Sequence, residues 1–584
     1  MNYPMWFLPE TGGGILIALI AILHVFVSHF AVGGGLYLIY AEKKGLRESS
    51  EQILEFTKKH ARFFLLVTVV FGSITGVGIW FIIALVNPAA TSFLIHTFVF
   101  GWAAEWVFFF VEIMAAFIYF YMFGRMDSAT HLKIGWVYFI SAWMSLFLIN
   151  GIIGFMLTPG AWLENPDFWV GFFNPSFFPS LFFRTFIAIF LAGIYGCFSA
   201  AFVKDRATRE TMTRFSGKWS LIALLGTIPS GFWYLAILPE QAKNLVLGKS
   251  PTIVTMMEWG VISLLALLII ILLTAMYRPS LNSKWVAATL MLAGLVYFGS
   301  FEWTREAARR PYAINELIYS NMIFKDQVDE ISSQGFLTSA RWVQTRELSA
   351  DNLIRAGEEI FIHQCYACHT IDGINNDIVS RTATMSYGAL RSYIGKIHQM
   401  RYFMPPFVGT EEEVDALAAY IAGGLHGKEI VAVKKEDSGV RLFEENCAAC
   451  HDSADLAPSL DGNSQEELAG LLARLDEISE EMVPFAGSEE EFKMLSGYLF
   501  SLNNETGSQA DTGETDGAEL FDINCSACHA AEDLAVAVSE WSPEEFRSVL
   551  DKLETLSEEM APYEGTAGEK DALTEYMEKL KGEL

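Results

Sequence analysis

Basic residues are scarce in this 584-residue chain: 40 Lys and Arg stand against 68 Asp and Glu, a net charge of −28. A surface of that sign repels phosphate backbones, which excludes nucleic acid as a partner. Cysteine is scarcer still, with seven residues. Six are committed to three short motifs, and the seventh, Cys197, lies in an apolar run and reads as core packing. A basic segment is missing from Met1 to Gly14, and the first apolar run is too long for a signal sequence, so no cleavable leader is expected.

What is present is a repeat. Cys365-Tyr-Ala-Cys368-His369, Cys447-Ala-Ala-Cys450-His451 and Cys525-Ser-Ala-Cys528-His529 share the spacing by which two thiols bond haem vinyl groups and the adjacent imidazole ligates iron. A single Cys-x-x-Cys pair would also suit zinc or redox chemistry. The surroundings decide, because they repeat as well. Gly357, Gly439 and Gly517 are each followed four residues on by Phe361, Phe443 and Phe521, and four further on by the first cysteine. Downstream stand Met404-Pro-Pro-Phe, Met482-Val-Pro-Phe and Met560-Ala-Pro-Tyr, with Tyr420, Tyr498 and Tyr576 sixteen residues past each Met. A thioether on a proline-stiffened loop is the expected sixth ligand opposite His, favouring electron transfer without gas binding. Met400 is an alternative in the first repeat, without the prolines. The pattern resembles small class I cytochrome c domains over about Asp351 to Leu584, implying three covalent c haems.

Composition divides the chain. Residues 351–584 hold 47 acidic and 16 basic side chains, a net of −31, so the rest of the chain sums to +3. The acidic part either steers a basic soluble cytochrome or serves solubility alone. The first 310 residues contain apolar stretches of the roughly 20 residues needed to cross a bilayer. Eight spans are expected, near 13–41, 61–88, 93–124, 133–157, 180–203, 217–238, 254–277 and 285–308. Lys43, Lys44, Arg47, Lys58, Lys59 and Arg62 follow the first, Arg125 and Lys133 the third, Lys204, Arg206, Arg209, Arg214 and Lys218 the fifth, and Arg278 and Lys284 the seventh. The alternate loops hold only Lys243 and Lys249, so the N-terminus and the haem motifs face outward. That agrees with attachment of c-type haem outside the bacterial cytoplasmic membrane, in the periplasm.

Ionisable groups inside apolar spans are costly and mark function or pairing. Glu105 and Glu112, seven residues apart, share one face of the third span. Glu302, Arg305, Glu306 and Arg309 form one stripe at the end of the eighth, readable also as an interfacial ion-pair ladder. His24 and His29 lie in the first span on different faces. His24 reads equally as a haem ligand or a hydrogen-bonded packing residue.

The run Leu16 to Phe26 around His24, then Glu105-x6-Glu112, Ile149-Asn150-Gly151 and Glu306-Ala-Ala-Arg309-Arg-Pro-Tyr-Ala-Ile-Asn-Glu316, resembles subunit I of cytochrome bd oxidase over about Gly12 to Ile318. The resemblance implies that His24 and Glu306 are axial ligands of two non-covalent high-spin haems, b with b or d. It implies Glu105 and Glu112 on the proton path, Arg309 as a haem-pocket cation and a role for Asn150. It also implies oxygen as substrate, lipid around the spans and a second membrane subunit. Departures are informative. The two carboxylates are one residue closer than the family's spacing, and the family's later Asn-Pro reads Thr158-Pro159. The family's fifth-helix His, a low-spin haem ligand, is Arg184 in Phe182-Phe183-Arg184-Thr185, although Met256 and Met257 still offer sulfur. The quinol-binding loop shrinks to about Pro239 to Pro251. A low-spin b haem is therefore expected to be absent, with His96 a candidate substitute ligand.

These readings predict an all-α chain: a membrane bundle at 1–318, a connector at 319–350 able to lie along the membrane surface, and cytochrome c domains at 351–426, 436–503 and 514–584. Polar, Gly- and Ser-containing stretches at Gly423–Ser438 and Leu502–Gly517 suggest hinges. The expected activity passes electrons from outer c haems to a membrane di-haem centre that reduces oxygen. Nitric oxide reduction at that centre, or quinol oxidation feeding the c haems, are the alternatives.

Overall fold

The structure, a computed structural model, describes residues 4–249, 251–430 and 438–448, then 451, 456–460, 463–478, 482, 484–508, 517, 520–521, 534, 537–538, 541–550, 552–553, 563 and 567–583. Cys450, Cys525, Cys528, His529 and Met560 lie outside them.

Among the described residues eight helices are long and apolar enough to span a bilayer: α1 (Gly13–Arg47), α2 (Glu51–Val86), α3 (Val99–Tyr121), α4 (Ser128–Phe155), α5 (Phe177–Ala201), α6 (Arg206–Ala236), α7 (Thr252–Tyr277) and α8 (Lys284–Ala307). They are longer than hydropathy suggests at the Lys/Arg-rich end. Lys43, Lys44 and Arg47 extend α1, and Lys58, Lys59 and Arg62 sit inside α2. Tight polar turns allow this, since each even-numbered helix begins at a side-chain cap. Ser50 accepts from Ile53 N, Asp127 from Thr130 N, Asp205 from Thr208 N and Ser283 from Val286 N. The expected third span is broken. Pro88–Thr97 forms a separate helix capped by Asn87, and α3 starts after Phe98.

α5 is the most enclosed span, and Phe183, Ile187, Phe190, Leu191 and Ile194 join residues of α1, α6 and α8 in the main apolar core. Beyond α8 a short antiparallel hairpin pairs β1 (Tyr312–Ile314) with β2 (Ile318–Tyr319). The connector packs on the first haem domain. Ile323, Ile331, Phe336, Leu337, Ala340 and Val343 are buried in one core with the first haem domain. Glu413 holds it there, its buried carboxylate accepting from Phe336 N and Leu337 N at 2.7 Å each.

The first haem domain is built on α9 (Leu353–Gln364), α10 (Tyr387–Met400) and α11 (Glu411–Ala419). The repeated glycine has a steric cause. A Cβ on Gly357 would lie 2.0 Å from the Ala416 carbonyl oxygen and 2.7 Å from Tyr420 Cβ. Gly439 meets Met494 O and Tyr498 Cβ, and Gly517 meets Ala572 O and Tyr576 Cβ, in the same way. Each repeat thus crosses its first and last helices where only hydrogen fits. The repeated Phe and Tyr pack together beside that crossing, with ring centroids 5.8 Å apart in Phe361–Tyr420 and again in Phe521–Tyr576.

The chain forms two compact units. The first holds the membrane bundle, connector and first haem domain, and most of the second unit consists of the later repeats.

Candidate functional site

The motif Cys365 to His369 follows α9 directly. Both thiols are free, and burial pushes Cys365 up to about 12. His369 Nδ1 lies 3.1 Å from the Asn376 carbonyl oxygen. A carbonyl only accepts, so Nδ1 carries the proton and Nε2 keeps its lone pair, as an iron ligand requires. Burial also pushes His369 down to about 4, which keeps it neutral. Gln364, next to Cys365, donates to Val408 O at 2.7 Å and accepts from Val408 N at 3.0 Å, tying the methionine loop to the haem helix. His398 Nδ1 donates to Met404 O at 2.6 Å, fixing the residue that bears the thioether. These residues fit a covalent haem between His369 and Met404. Cys447, His451 and Met482 are among the described residues.

In the bundle, His24 Nδ1 is 3.2 Å from Thr75 Oγ1, whose own proton goes to Phe71 O at 2.9 Å. The hydroxyl therefore accepts, Nδ1 is the protonated nitrogen, and Nε2 is left as a donor to metal. Glu306, half exposed at the end of α8, pairs with Arg309, and Arg309 also donates to the Ala313 carbonyl. His24 and Glu306 are both of the chemistry a non-covalent haem needs, and they are well separated. Gly299 packs on Ile22, and α1 and α8 run antiparallel, which puts Glu306 about 13 Å along the axis from His24.

Glu105 and Glu112 both turn toward α4, accepting from Ser145 Oγ at 2.6 Å and Tyr138 OH at 2.9 Å. One face of α3 thus carries both, as their spacing implied. Asn150 behaves differently. Its amide donates to Phe177 O at 2.9 Å and accepts from Ser180 Oγ at 2.6 Å, so both ends are occupied in fastening α4 to α5. Beside it lies a buried network that the sequence did not reveal. Asn174 donates to Gly151 O at 2.9 Å and meets Thr158 Oγ1 at 3.2 Å, drawing in the Thr158-Pro159 step. Its sequence signal was Asn174-Pro175, sixteen residues further on.

Arg184 is buried, 3.0 Å from Glu302 and 3.4 Å from His29 Nε2. Arg305 meets the other Glu302 oxygen at 2.9 Å, so one carboxylate bridges two guanidinia. The α8 stripe therefore holds two ion pairs, Glu302 with Arg305 and Glu306 with Arg309, and Arg184 of α5 joins the first. His96 is exposed on the short helix before α3, and its Nδ1 donates to Ser92 O at 2.7 Å.

The first haem domain sits on the bundle at the end where α1 begins and α8 finishes. Tyr366, inside the haem motif, exchanges hydrogen bonds with Leu8, and Ile371 N donates to Pro9 O at 2.9 Å. On the methionine loop, Tyr402 and Phe403 pack with Trp303 and Ala307 of α8 and with Leu245 and Ile253. Gln241 adds a bond to Tyr402 O at 3.3 Å.

Residues 15–234 match the family model of cytochrome bd terminal oxidase subunit I. Residues 352–421, 434–499 and 513–577 each match cytochrome c oxidase, cbb3-type, subunit III. The chain joins a bd oxidase subunit I-like membrane region to three cytochrome c-like domains. It is a multi-pass membrane haem oxidoreductase of the terminal-oxidase kind. Among solved structures, the bd oxidase from Geobacillus thermodenitrificans is similar at 17% identity and a TM-score of 0.45, over 51% of this chain and 87% of that one. No curated protein matches the chain.

Proposed function

We propose that this chain takes electrons from a soluble one-electron donor at its c-type domains and delivers them into the bundle, where oxygen is reduced. The observation that carries the reading is the seat of the first haem domain. Its methionine loop packs on Trp303 and Ala307, residues that flank Glu306 on α8. The shortened segment from Pro239 to Pro251 supports it further, because Gln241, Leu245 and Ile253 are spent on that seat. In the bd family the corresponding loop binds quinol, and Arg184, paired with Glu302, offers no imidazole to a low-spin haem.

A haem held by His24 or Glu306 would supply the electron-accepting, gas-binding iron. The chain's own residues do the rest. Thr75 orients His24, and Arg309 pairs with the Glu306 carboxylate and fixes its place at the end of α8. Glu112 and Glu105 hold protons along α3 for delivery to the site of reduction. Orientation with the haem domains periplasmic follows the placement of basic residues at the opposite end.

The deciding experiment is haem extraction with optical spectra on the purified protein, followed by gas uptake. Three covalent c haems, two non-covalent haems and oxygen uptake driven by a reduced c-type donor are expected. Uptake of nitric oxide but not oxygen, or reduction of the c haems by quinol without gas uptake, would replace the proposal.

A further inference from the structure

Between α2, α5 and the start of α6, at the Lys/Arg-rich end of the bundle, lies a cavity of about 600 Å³. None of the residues assigned above to haem or proton handling lines it. Its size is that of a ligand site, since these run to about 300–1,000 Å³.

The walls are graded along the helix axes. On α2, Gln52, Phe56, Lys59 and Phe63 fall at i, i+4, i+7 and i+11, one stripe running about 16 Å from the polar helix start into the apolar span. Facing it, Lys204 stands at the turn between α5 and α6, with Phe202 and then Phe198 deeper. The floor is closed by His60, itself inaccessible, whose Nδ1 is 2.7 Å from Ser199 Oγ of α5 and whose ring stacks on Phe56. Charge at the membrane surface and aromatic surface within is the profile of an amphiphile lying parallel to the helices.

The charges at the mouth decide the kind of head group. Both carboxylates there are already spent: Glu55 pairs with Lys59 at 2.6 Å, and Asp205 caps α6 by accepting from Thr208 N at 2.7 Å. Lys204 is exposed and has no partner among the described residues. A fourth helix adds a cation, because Lys284, the first residue of α8, stands over the Phe202 ring at 5.2 Å from its centroid. The mouth therefore offers positive charge to an anion and no free carboxylate to a head-group ammonium. Phe202 is half exposed and offers apolar surface beside those cations.

We infer that this cavity holds an acidic phospholipid from the leaflet at the Lys/Arg-rich face, its phosphate against Lys204 and Lys284 and one acyl chain along Phe56, Phe63, Phe198 and Phe202. Basic pockets between spans on that side attract acidic head groups, and the chain buries aromatic surface that water or a free anion would leave bare. A free phosphate would meet the same lysines but none of the wall below them. The lipid joins the ends of α2, α5, α6 and α8.

The test takes the full haem-loaded chain, stripped of lipid by prolonged detergent washing. Native mass spectrometry then counts bound lipid as phosphatidylglycerol or phosphatidylcholine with matched acyl chains is added back. One phosphatidylglycerol should bind roughly tenfold more tightly than phosphatidylcholine. Lys204→Gln should weaken that binding roughly fivefold, and adding Lys284→Gln should bring the loss to roughly twenty-fivefold. Val203→Trp, which narrows the cavity and leaves every charge in place, should abolish it. Native haem content and spectra in each variant separate a lost lipid from a lost fold. Equal binding of the two lipids would reduce the cavity to an unselective lipid contact, and displacement of phosphatidylglycerol by millimolar inorganic phosphate would make it a site for the free anion. Unchanged binding in Lys204→Gln or Val203→Trp would place the lipid elsewhere on the chain. Any of these results overturns the proposal.

Discussion

Single residues carry the ligand assignments. His369 and His24 share one device, a ring nitrogen tied to an acceptor so that the other stays free for metal. Replacing Met404 by Ala should leave the first c haem covalently attached but high-spin and able to bind carbon monoxide. Optical and magnetic circular dichroism spectra would read the change, and a low-spin spectrum in Met404→Ala would move the ligand to Met400 or elsewhere. The same substitution at Met482 and Met560 should act on one haem each. In the bundle, His24→Ala and Glu306→Ala should each lose or perturb a non-covalent haem and abolish gas reduction. A variant pair with native haem content and native turnover would end the ligand assignment. Arg184 makes a prediction of another kind. Its loss strands Glu302 in an apolar core, and breaking such a buried pair costs about 3–5 kcal/mol. Arg184→Met should lower the thermal midpoint of the detergent-solubilised chain, whereas an unchanged midpoint would mean that Arg305 alone satisfies Glu302.

Elements show where reading a sequence succeeds and where it stops. The eight spans were legible because about 20 apolar residues in a row have few alternatives to a bilayer. The three haem repeats were legible because glycine, phenylalanine and tyrosine recur at fixed offsets, and the helix crossings at Gly357, Gly439 and Gly517 supply the physical reason. Helix ends were misjudged where charged residues continue a helix beyond the apolar run, as at Lys44 and Lys59. Glu105 and Glu112 stood out as carboxylates in apolar surroundings, but Tyr138, which donates to Glu112, did not, since an aromatic residue at helical spacing is ordinary core. Partners across the fold were beyond reach: nothing in the sequence joins Arg184 to Glu302, or Glu413 to the connector. That last contact is testable. Glu413→Ala removes an acceptor from two buried amides and should cost about 3 kcal/mol. Hydrogen exchange at Phe336 and Leu337 should accelerate markedly, and unchanged protection there would show that apolar packing alone seats the connector.

At the scale of the whole molecule, charge and architecture point the same way. The segment 351–584 carries a net −31, while the membrane part is close to neutral. The expected hinges at Gly423–Ser438 and Leu502–Gly517 fall in large part outside the described residues. The first haem domain, by contrast, is held to the bundle through Leu8, Gln241 and Trp303. A donor that carries positive charge should therefore meet a field that gathers it toward the haem domains, and the first of these should hand electrons on across a fixed contact. The rate of donor oxidation should fall roughly tenfold between low and physiological ionic strength, because screening shortens the reach of the acidic surface. The rate of electron transfer from the first haem domain into the bundle, measured after a light-triggered injection, should not change with salt, since both partners belong to one compact unit. A quinol analogue should support neither step. Salt-independent donor oxidation would reduce the acidic surface to a solubility device, and salt-sensitive internal transfer would mean that the contact at Trp303 and Phe403 opens during turnover.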